Sequence, residues 1–504
     1  MHDTLLGLLA AADPVAPALR APDRAALSHG ALRRQIEATL AALNAHGIGR
    51  DDRVAIVLPN GPVMASCFLA CAAGVASAPL NPAYRAEEFE FYLSDLGAKA
   101  LIVEQGSASP AVEVAHRLGV RVILARPGAA AGAFTLDLQA LPAAACAAPG
   151  PAQPGDLSML LHTSGTTSRP KIVPLSQANL AASARHIART LAFSAGDCGL
   201  NIMPLFHIHG LIAGVLAPLA AGSQVYCTPG FNALKFFAWM DDAAPTWFTA
   251  VPTMHQAILG RAPKNSGVIA RHPLRFLRSS SSSMPPQVIA ELEAVFGAPL
   301  IEAYGMTEAA HQMASNPLPP AVRKPGSVGL AAGPQIAIMG EDGALLGAGA
   351  IGEIVIRGPN VTAGYERNEV ANAEAFRDGW FRTGDQGQLD ADGYLSLTGR
   401  LKEIINRGGE KISPREVDEV LMDHPAVAQV VCFGLPHAKL GEEVAAVVVL
   451  REGARADERE LQQFVAARVA DFKVPTKIVF MDEIPKGATG KLQRIGLAAK
   501  LGLA

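Results

Sequence analysis

Apolar and polar positions in the first third of the chain alternate between short continuous runs and helical stripes. RVAIVLP from Arg53, AKALIVE from Ala98 and VRVILAR from Val120 are short and apolar throughout. Such runs suit strands covered on both faces. EEFEFYLSDLG, between the first two, has a helical pattern. The alternation predicts parallel sheets with covering helices. MASCFLACAAGVA is apolar on every side and places Cys67 and Cys71 as small buried residues. Residues 126–156 are rich in Ala, Pro and Gly and read as a surface connection.

The next section repeats one arrangement. DLSMLL runs into HTSGTTSRPK, PTWFTAV into Pro252 and Thr253, LRFLR into SSSSSMPP, and APLIEAY into GMTE. Each predicted strand ends in a small, polar loop. Parallel strands bring such loops to one edge of a sheet, where ligands of doubly wound folds bind. The serine run leads into a helix, QVIAELEAVFG, with serines to cap it and Pro285-Pro286 at its start. From about Gly352, pieces such as GEIVIRGP and GYLSLTG read as short antiparallel strands with Gly/Asp turns. After GRLKEIINRGGEKISP come a helix, PREVDEVLMDHP, the strands VAQVVCFGL and EVAAVVVL, and a second helix over 458–470. The expected fold class is α/β: a large N-terminal domain, 1–399, of stacked, mostly parallel sheets with helices plus a β-rich subdomain, then a small α+β domain, 400–504.

Composition narrows the partners. The 504 residues carry 43 basic and 46 acidic side chains, a formal charge of −3, so nothing draws the chain to nucleic acid or an anionic membrane. Six scattered cysteines give neither a disulfide framework nor a thiolate metal cluster and suit a reducing compartment. No apolar run reaches the ~20 residues needed to cross a bilayer. MHDTLLGLLAAADP lacks the basic leader of a secretory signal, and KLGLA is not a peroxisomal address. A cytoplasmic location is the expectation; homo-oligomerisation stays open.

HTSGTTSRPK combines glycine, hydroxyls, proline and lysine in the manner of a phosphate-holding loop, without the Gly-Lys-Ser/Thr core of a P-loop. Taken alone it is equally a Ser/Thr turn. It does not stand alone. HTSGTTSRPK, MPLFHIHG, EAYGMTE, WFRTGD, GRLKEIINRGGEKISP and PKGATGK follow one another in the order, and at the spacing, of the adenylate-forming superfamily: acyl-CoA synthetases, adenylation domains and luciferase-type enzymes. The resemblance covers about Arg53 to Leu497. Within it, FKVP before PKGATGK, with TWFTAVPTMHQ, RSSSSSMPP and EAYGMTEAAHQMASNPLP, is similar to the oxalate–CoA ligase branch. The family loop usually has glycine where this chain has Ser168 and Ile172, which reduces backbone freedom but not the number of hydroxyls.

The resemblance implies a two-step reaction. A carboxylate attacks the α-phosphorus of ATP, pyrophosphate leaves, and the thiol of coenzyme A then takes the acyl group from acyl-AMP. This needs positioning and charge stabilisation rather than a protein nucleophile. By the same resemblance, Thr163, Ser164, Gly165, Thr166, Thr167 and Lys171 hold the β- and γ-phosphates. Tyr304 stacks on adenine, with Glu302 and Ala303 beside it in the nucleotide site. Thr307 bonds the α-phosphate, and Glu308 holds Mg²⁺, for which a carboxylate is a suitable hard ligand. Asp385 takes the ribose hydroxyls and Arg400 makes a second ribose or phosphate contact. Lys491 brings positive charge to the reacting oxygens. Lys402 is the hinge of a mobile small domain, and Gly408 and Gly409 line the pantetheine path.

His207, His209, Ser281 and His311 surround the acyl end in this reading. An unpaired buried polar group costs about 1–3 kcal/mol, so such a set suits a second carboxylate better than a fatty chain. Ala303 stands where the malonate branch carries arginine, which leaves oxalate as the expected acid. A medium-chain or aryl acid–CoA ligase, and a stand-alone adenylation module that loads a carrier-protein thiol, are the alternatives. A non-catalytic binding protein is a poorer fit because Lys491, Glu308 and Asp385 are all kept.

Overall fold

The computed structural model describes residues 3–139, 141–163, 170–486 and 492–503. The apolar runs of the first third form the middle of a seven-stranded sheet. Arg53–Val57 pairs in parallel with Ala76–Pro79 and Ala100–Glu104, and the latter with Arg121–Pro127. Leu157–Thr163 continues the sheet beside Ala76–Pro79. It pairs antiparallel with the strand Lys171–Ser176. The stripe before Gly97 is a helix, Ala86–Leu96, and Gly97 ends it in the left-handed conformation that glycine adopts without strain. Cys67 and Cys71 are fully buried in the helix Pro62–Ala72.

Two expectations need correction here. Part of the 126–156 connection is a strand, Phe134–Asp137, which pairs antiparallel with Arg121–Pro127. It buries Phe134, a single aromatic anchor that the surrounding alanines and glycines obscure in the sequence. The helix expected over 458–470 ends at Ala466. The chain turns there so that Val469, Phe472 and Val474 pack against the small apolar core of the C-terminal sheet.

A second sheet has nine strands. Its middle is parallel: Cys198–Asn201, Gln224–Cys227, Trp247–Ala250, Phe276–Ser280 and Leu300–Met306. One continuous apolar cluster, with Phe68, Leu180, Leu211 and Trp247 among its members, joins the two large sheets through the helices between them. In the nine-stranded sheet Asn201 lies beside Thr249, Ala250 beside Ser279 and Ser280 beside Ala303. Four strand tips, at Asn201, Ala250, Ser280 and Met306, therefore open at the same edge. The helix after the serine run begins at Pro286 with Pro285 as its cap residue. Contrary to expectation no serine side chain caps it: a proline in the first turn already has a helical φ and no N–H to satisfy.

The Gly/Asp-turn region forms an antiparallel sheet that includes Gln335–Met339, Gly352–Arg357, Trp380–Leu389 and Leu395–Arg400. From Ile405 onward a separate five-stranded sheet is built around the long pair Val427–His437 and Gly441–Leu450. The helix Pro414–Met422 buries Val417 and Leu421 against it.

Candidate active site

A cleft of about 360 Å³ lies where the strand tips of the nine-stranded sheet face the C-terminal sheet. Thr253, Ser281 and Pro285 line it from one side, and Arg415, Asp418 and Arg494 from the other. Asp385 and Arg400 lie in the same lining.

The strand Leu300–Met306 carries the EAYGMTE residues to this edge. Tyr304 is buried, and its hydroxyl donates to Asp385 Oδ2 at 2.6 Å. Asp385 Oδ1 accepts from Arg400 Nε at 2.8 Å, because Asp385 and Arg400 face each other across the antiparallel pair that closes the region. Burial, with Asp385 alongside, pushes the Tyr304 hydroxyl well above its ordinary value, so it remains a donor. Glu302 and Ala303 are buried on the same strand. Burial raises the Glu302 carboxyl to about 8, although the Gly326 N–H donates to it at 3.2 Å.

Thr307 and Glu308 form a short turn immediately after the strand. Glu308 is buried, and its carboxyl lies above the usual range, chiefly by desolvation. Its Oε1 accepts from the Tyr365 hydroxyl at 2.9 Å. Lys171 Nζ sits 4.5 Å from the centre of the Tyr365 ring. Tyr365 thus links the end of the hydroxyl-rich hairpin to Glu308. The sequence reading missed it; its GYERN segment gives no local signal beyond a glycine. Thr163 ends its strand at this hairpin, with its hydroxyl 3.5 Å from the Lys171 carbonyl oxygen.

A buried carboxylate with no cationic partner within 4 Å, among the described residues, fits a hard divalent cation. No group of three or more His, Cys, Asp or Glu side chains gathers there among the described residues, so most of the ion's oxygens would come from phosphate and water.

Ser164, Gly165, Thr166, Thr167 and Lys491 lie outside the described residues. Leu492, next to Lys491, lines the cleft. Lys402 is exposed in the turn Leu401–Glu403, between Arg400 and the first strand of the C-terminal sheet. Gly408 and Gly409 form the exposed tip of a hairpin, both at positive φ, and do not line the cleft. Their neighbour Lys411 pairs with Glu341 of the antiparallel sheet.

At the other end of the strand tips the acyl candidates come together. His209 opens a π-helical turn, His209–Leu216, after the strand Cys198–Asn201. Its Nδ1 is 3.1 Å from Ser281 Oγ and its ring stacks on His311 at 4.9 Å. The His209 backbone N–H donates to His207 Nδ1 at 3.3 Å, which ties the four residues into one group. Two of the four sit in strained backbone. Ser281 has φ 76° and His311 φ 104°. Non-glycine residues hold such conformations only where the surroundings over-determine them, and they cluster at functional sites. Here Ser183 donates to the Ala310 carbonyl at 2.5 Å, and Asn360 to those of Ala309 and Gln312. Gly305 is required by the same turn, since a Cβ there would meet the His311 carbonyl oxygen at 1.9 Å.

The sequence reading also missed the residue beneath this group. Arg278, in the strand LRFLR, is completely buried. One guanidinium nitrogen donates to His209 Nε2 at 3.2 Å, and the other to His311 Nε2 at 3.2 Å and Gln312 Oε1 at 3.3 Å. Burial lowers it to about 9, which leaves it a cation at neutral pH. No carboxylate pairs with it among the described residues. An arginine inside an otherwise buried parallel strand was the available signal.

Polar strand tips thus converge from a parallel sheet, and the C-terminal sheet lies across the cleft from them. The chain belongs to the AMP-binding enzymes: residues 9–366 match the family model "AMP-binding enzyme" and residues 416–491 that of the "AMP-binding enzyme C-terminal domain". It is 47% identical to a probable CoA ligase of Humulus lupulus over 93% of this chain and 90% of that one. It is 45% identical to an oxalate–CoA ligase of Arabidopsis thaliana over 98% of this chain and 97% of that one. Among solved structures, ATP-bound MatB from Rhodopseudomonas palustris superposes with a TM-score of 0.88 at 30% identity, covering 99% of both chains. The chain is an acid–CoA ligase of the adenylate-forming superfamily, with ATP and coenzyme A as the fitting cosubstrates.

Proposed function

We propose that the acid is oxalate, activated as oxalyl-AMP with release of pyrophosphate and transferred to coenzyme A. The observation that carries this reading is the residue cluster itself: His209, Ser281 and His311 joined over a buried guanidinium with no carboxylate partner among the described residues. A buried cation costs several kcal/mol unless an anion compensates it. An alkyl chain would leave that cost in place. A second carboxylate, held close to the first by a substrate with no carbon spacer, would offset it. The 45% identical Arabidopsis relative acts on the same acid.

The remaining roles are those the family resemblance implies. Thr163, Ser164, Gly165, Thr166, Thr167 and Lys171 take the β- and γ-phosphates. Asp385 takes the ribose hydroxyls with the oxygen lone pairs that Tyr304 and Arg400 leave open. Thr307 bonds the α-phosphate, and Glu308 holds Mg²⁺, which would neutralise charge on the phosphate oxygens. Lys491 approaches the α-phosphorus from the C-terminal domain, 400–504, which turns about Lys402 after adenylation. That turn would bring Gly408 and Gly409, now outside the cleft, toward the thiol's entry path.

The test is product formation. With ATP, Mg²⁺ and free coenzyme A, oxalate gives pyrophosphate and a thioester of oxalyl-CoA mass. Absence of that thioester, with another acid consumed instead, refutes the substrate. A requirement for a carrier protein in place of coenzyme A refutes the acceptor.

A further inference from the structure

The geometry points to Arg278 as a positioning residue that fixes both pocket histidines as neutral Nδ1–H tautomers and makes the pocket selective for a dianionic acid. This deepens the reading of the acid pocket and rests on it for the identity of the acid, not for the tautomers.

A guanidinium has only donors. Where it bonds an imidazole nitrogen, that nitrogen must present a lone pair. Arg278 bonds Nε2 of both His209 and His311. Neither ring can therefore be an imidazolium in this arrangement, and each carries its proton on Nδ1. For His209 the consequence is visible. Its Nδ1–H donates to Ser281 Oγ at 3.1 Å, which leaves the serine hydroxyl hydrogen to point elsewhere. Ser281 lines the cleft, so that hydrogen is available to a ligand oxygen. Thr249 adds a second contact on His209 Nε2 at 2.7 Å, in accord with an acceptor there.

The pair of contacts also needs arginine in particular. Its planar fork reaches two rings stacked 4.9 Å apart, whereas a lysine ammonium is a single point. The strand Phe276–Ser280 carries this fork beneath both rings, and Thr249 and Gln312 accept further hydrogen bonds from its two terminal nitrogens. One positive charge thus lies under two neutral rings, and through His209 it orients the Ser281 hydroxyl that lines the cleft.

Histidine-selective ¹⁵N NMR of the unmodified enzyme at pH 7.5 tests the tautomers, with His209→Gln and His311→Gln used to assign the two resonances. The expected spectra show both rings neutral, protonated on Nδ1, with Nε2 as acceptor. Either ring as an imidazolium, or protonated on Nε2, overturns the inference. Arg278→Met and Arg278→Lys test selectivity on protein that remains folded by circular dichroism. The ratio of kcat/KM for the preferred dicarboxylate to that for a monocarboxylate of similar size falls about 10-fold or more in both variants. KM for ATP changes little. An unchanged ratio overturns the inference. Should the native enzyme prefer a diacid other than oxalate, the substrate reading fails while the spectra and the ratio still decide the role of Arg278.

Discussion

Glu302 and Arg278 are two buried ionisable groups on adjacent strands, and they behave in opposite ways. Burial raises Glu302 to about 8, so the folded state favours its neutral form. Its contribution to stability is present below the ordinary carboxylate value and is lost as pH rises through about 8. Glu302→Gln, which mimics the protonated acid, should flatten the fall in Tm between pH 5 and 8.5; an unchanged slope would assign that fall to other groups. Arg278 stays charged and so demands an anion. The histidines and Ser281 were readable from the sequence because they occupy motif positions. Arg278, Tyr365 and Thr249 were not, because each acts through another residue across a strand or sheet. Only the pairing of strands puts Arg278 beneath His209, 69 positions away in the chain.

At the scale of elements, the apolar runs and polar loops forecast the parallel strands and their shared edge. Their short, continuous apolar character leaves little else for them to be. The strand Phe134–Asp137 escaped because an Ala/Gly-rich context hides a single anchor, and the end of the last long helix escaped because tertiary packing, not propensity, stops it. The crossing of Leu300–Met306 with His311–Ser315 is the tightest feature of the site. Gly305→Ala forces a Cβ onto the His311 carbonyl and should cost about 1–3 kcal/mol of stability, as overpacking does. It should also lower kcat/KM for the acid about 10-fold or more, because His311 moves with that carbonyl. A variant with native Tm and native kinetics would show that the turn yields freely. In the connecting turn Leu401–Glu403, Lys402→Pro fixes φ and should slow thioester formation more than adenylation in single-turnover assays. Equal slowing of both steps would remove the hinge from Lys402.

For the whole molecule, the proposed reaction brings strand tips from the large part and Lys491 from the small part to one phosphorus. Lys491→Ala should lose adenylate formation and keep thioester formation from supplied oxalyl-AMP, read as separate half-reactions. The family was legible because motifs lie in a fixed order over nearly the whole chain. The reason the pocket would prefer a dianion was only half legible, since its charge lies one layer below the residues proposed to meet the acid. The most direct measurement of that preference is kcat/KM for oxalate against octanoate, read as pyrophosphate release in one assay with ATP, Mg²⁺ and coenzyme A. A pocket built over a guanidinium with no carboxylate partner among the described residues predicts oxalate as the best acid from two to twelve carbons. Faster turnover of octanoate than of oxalate would contradict it.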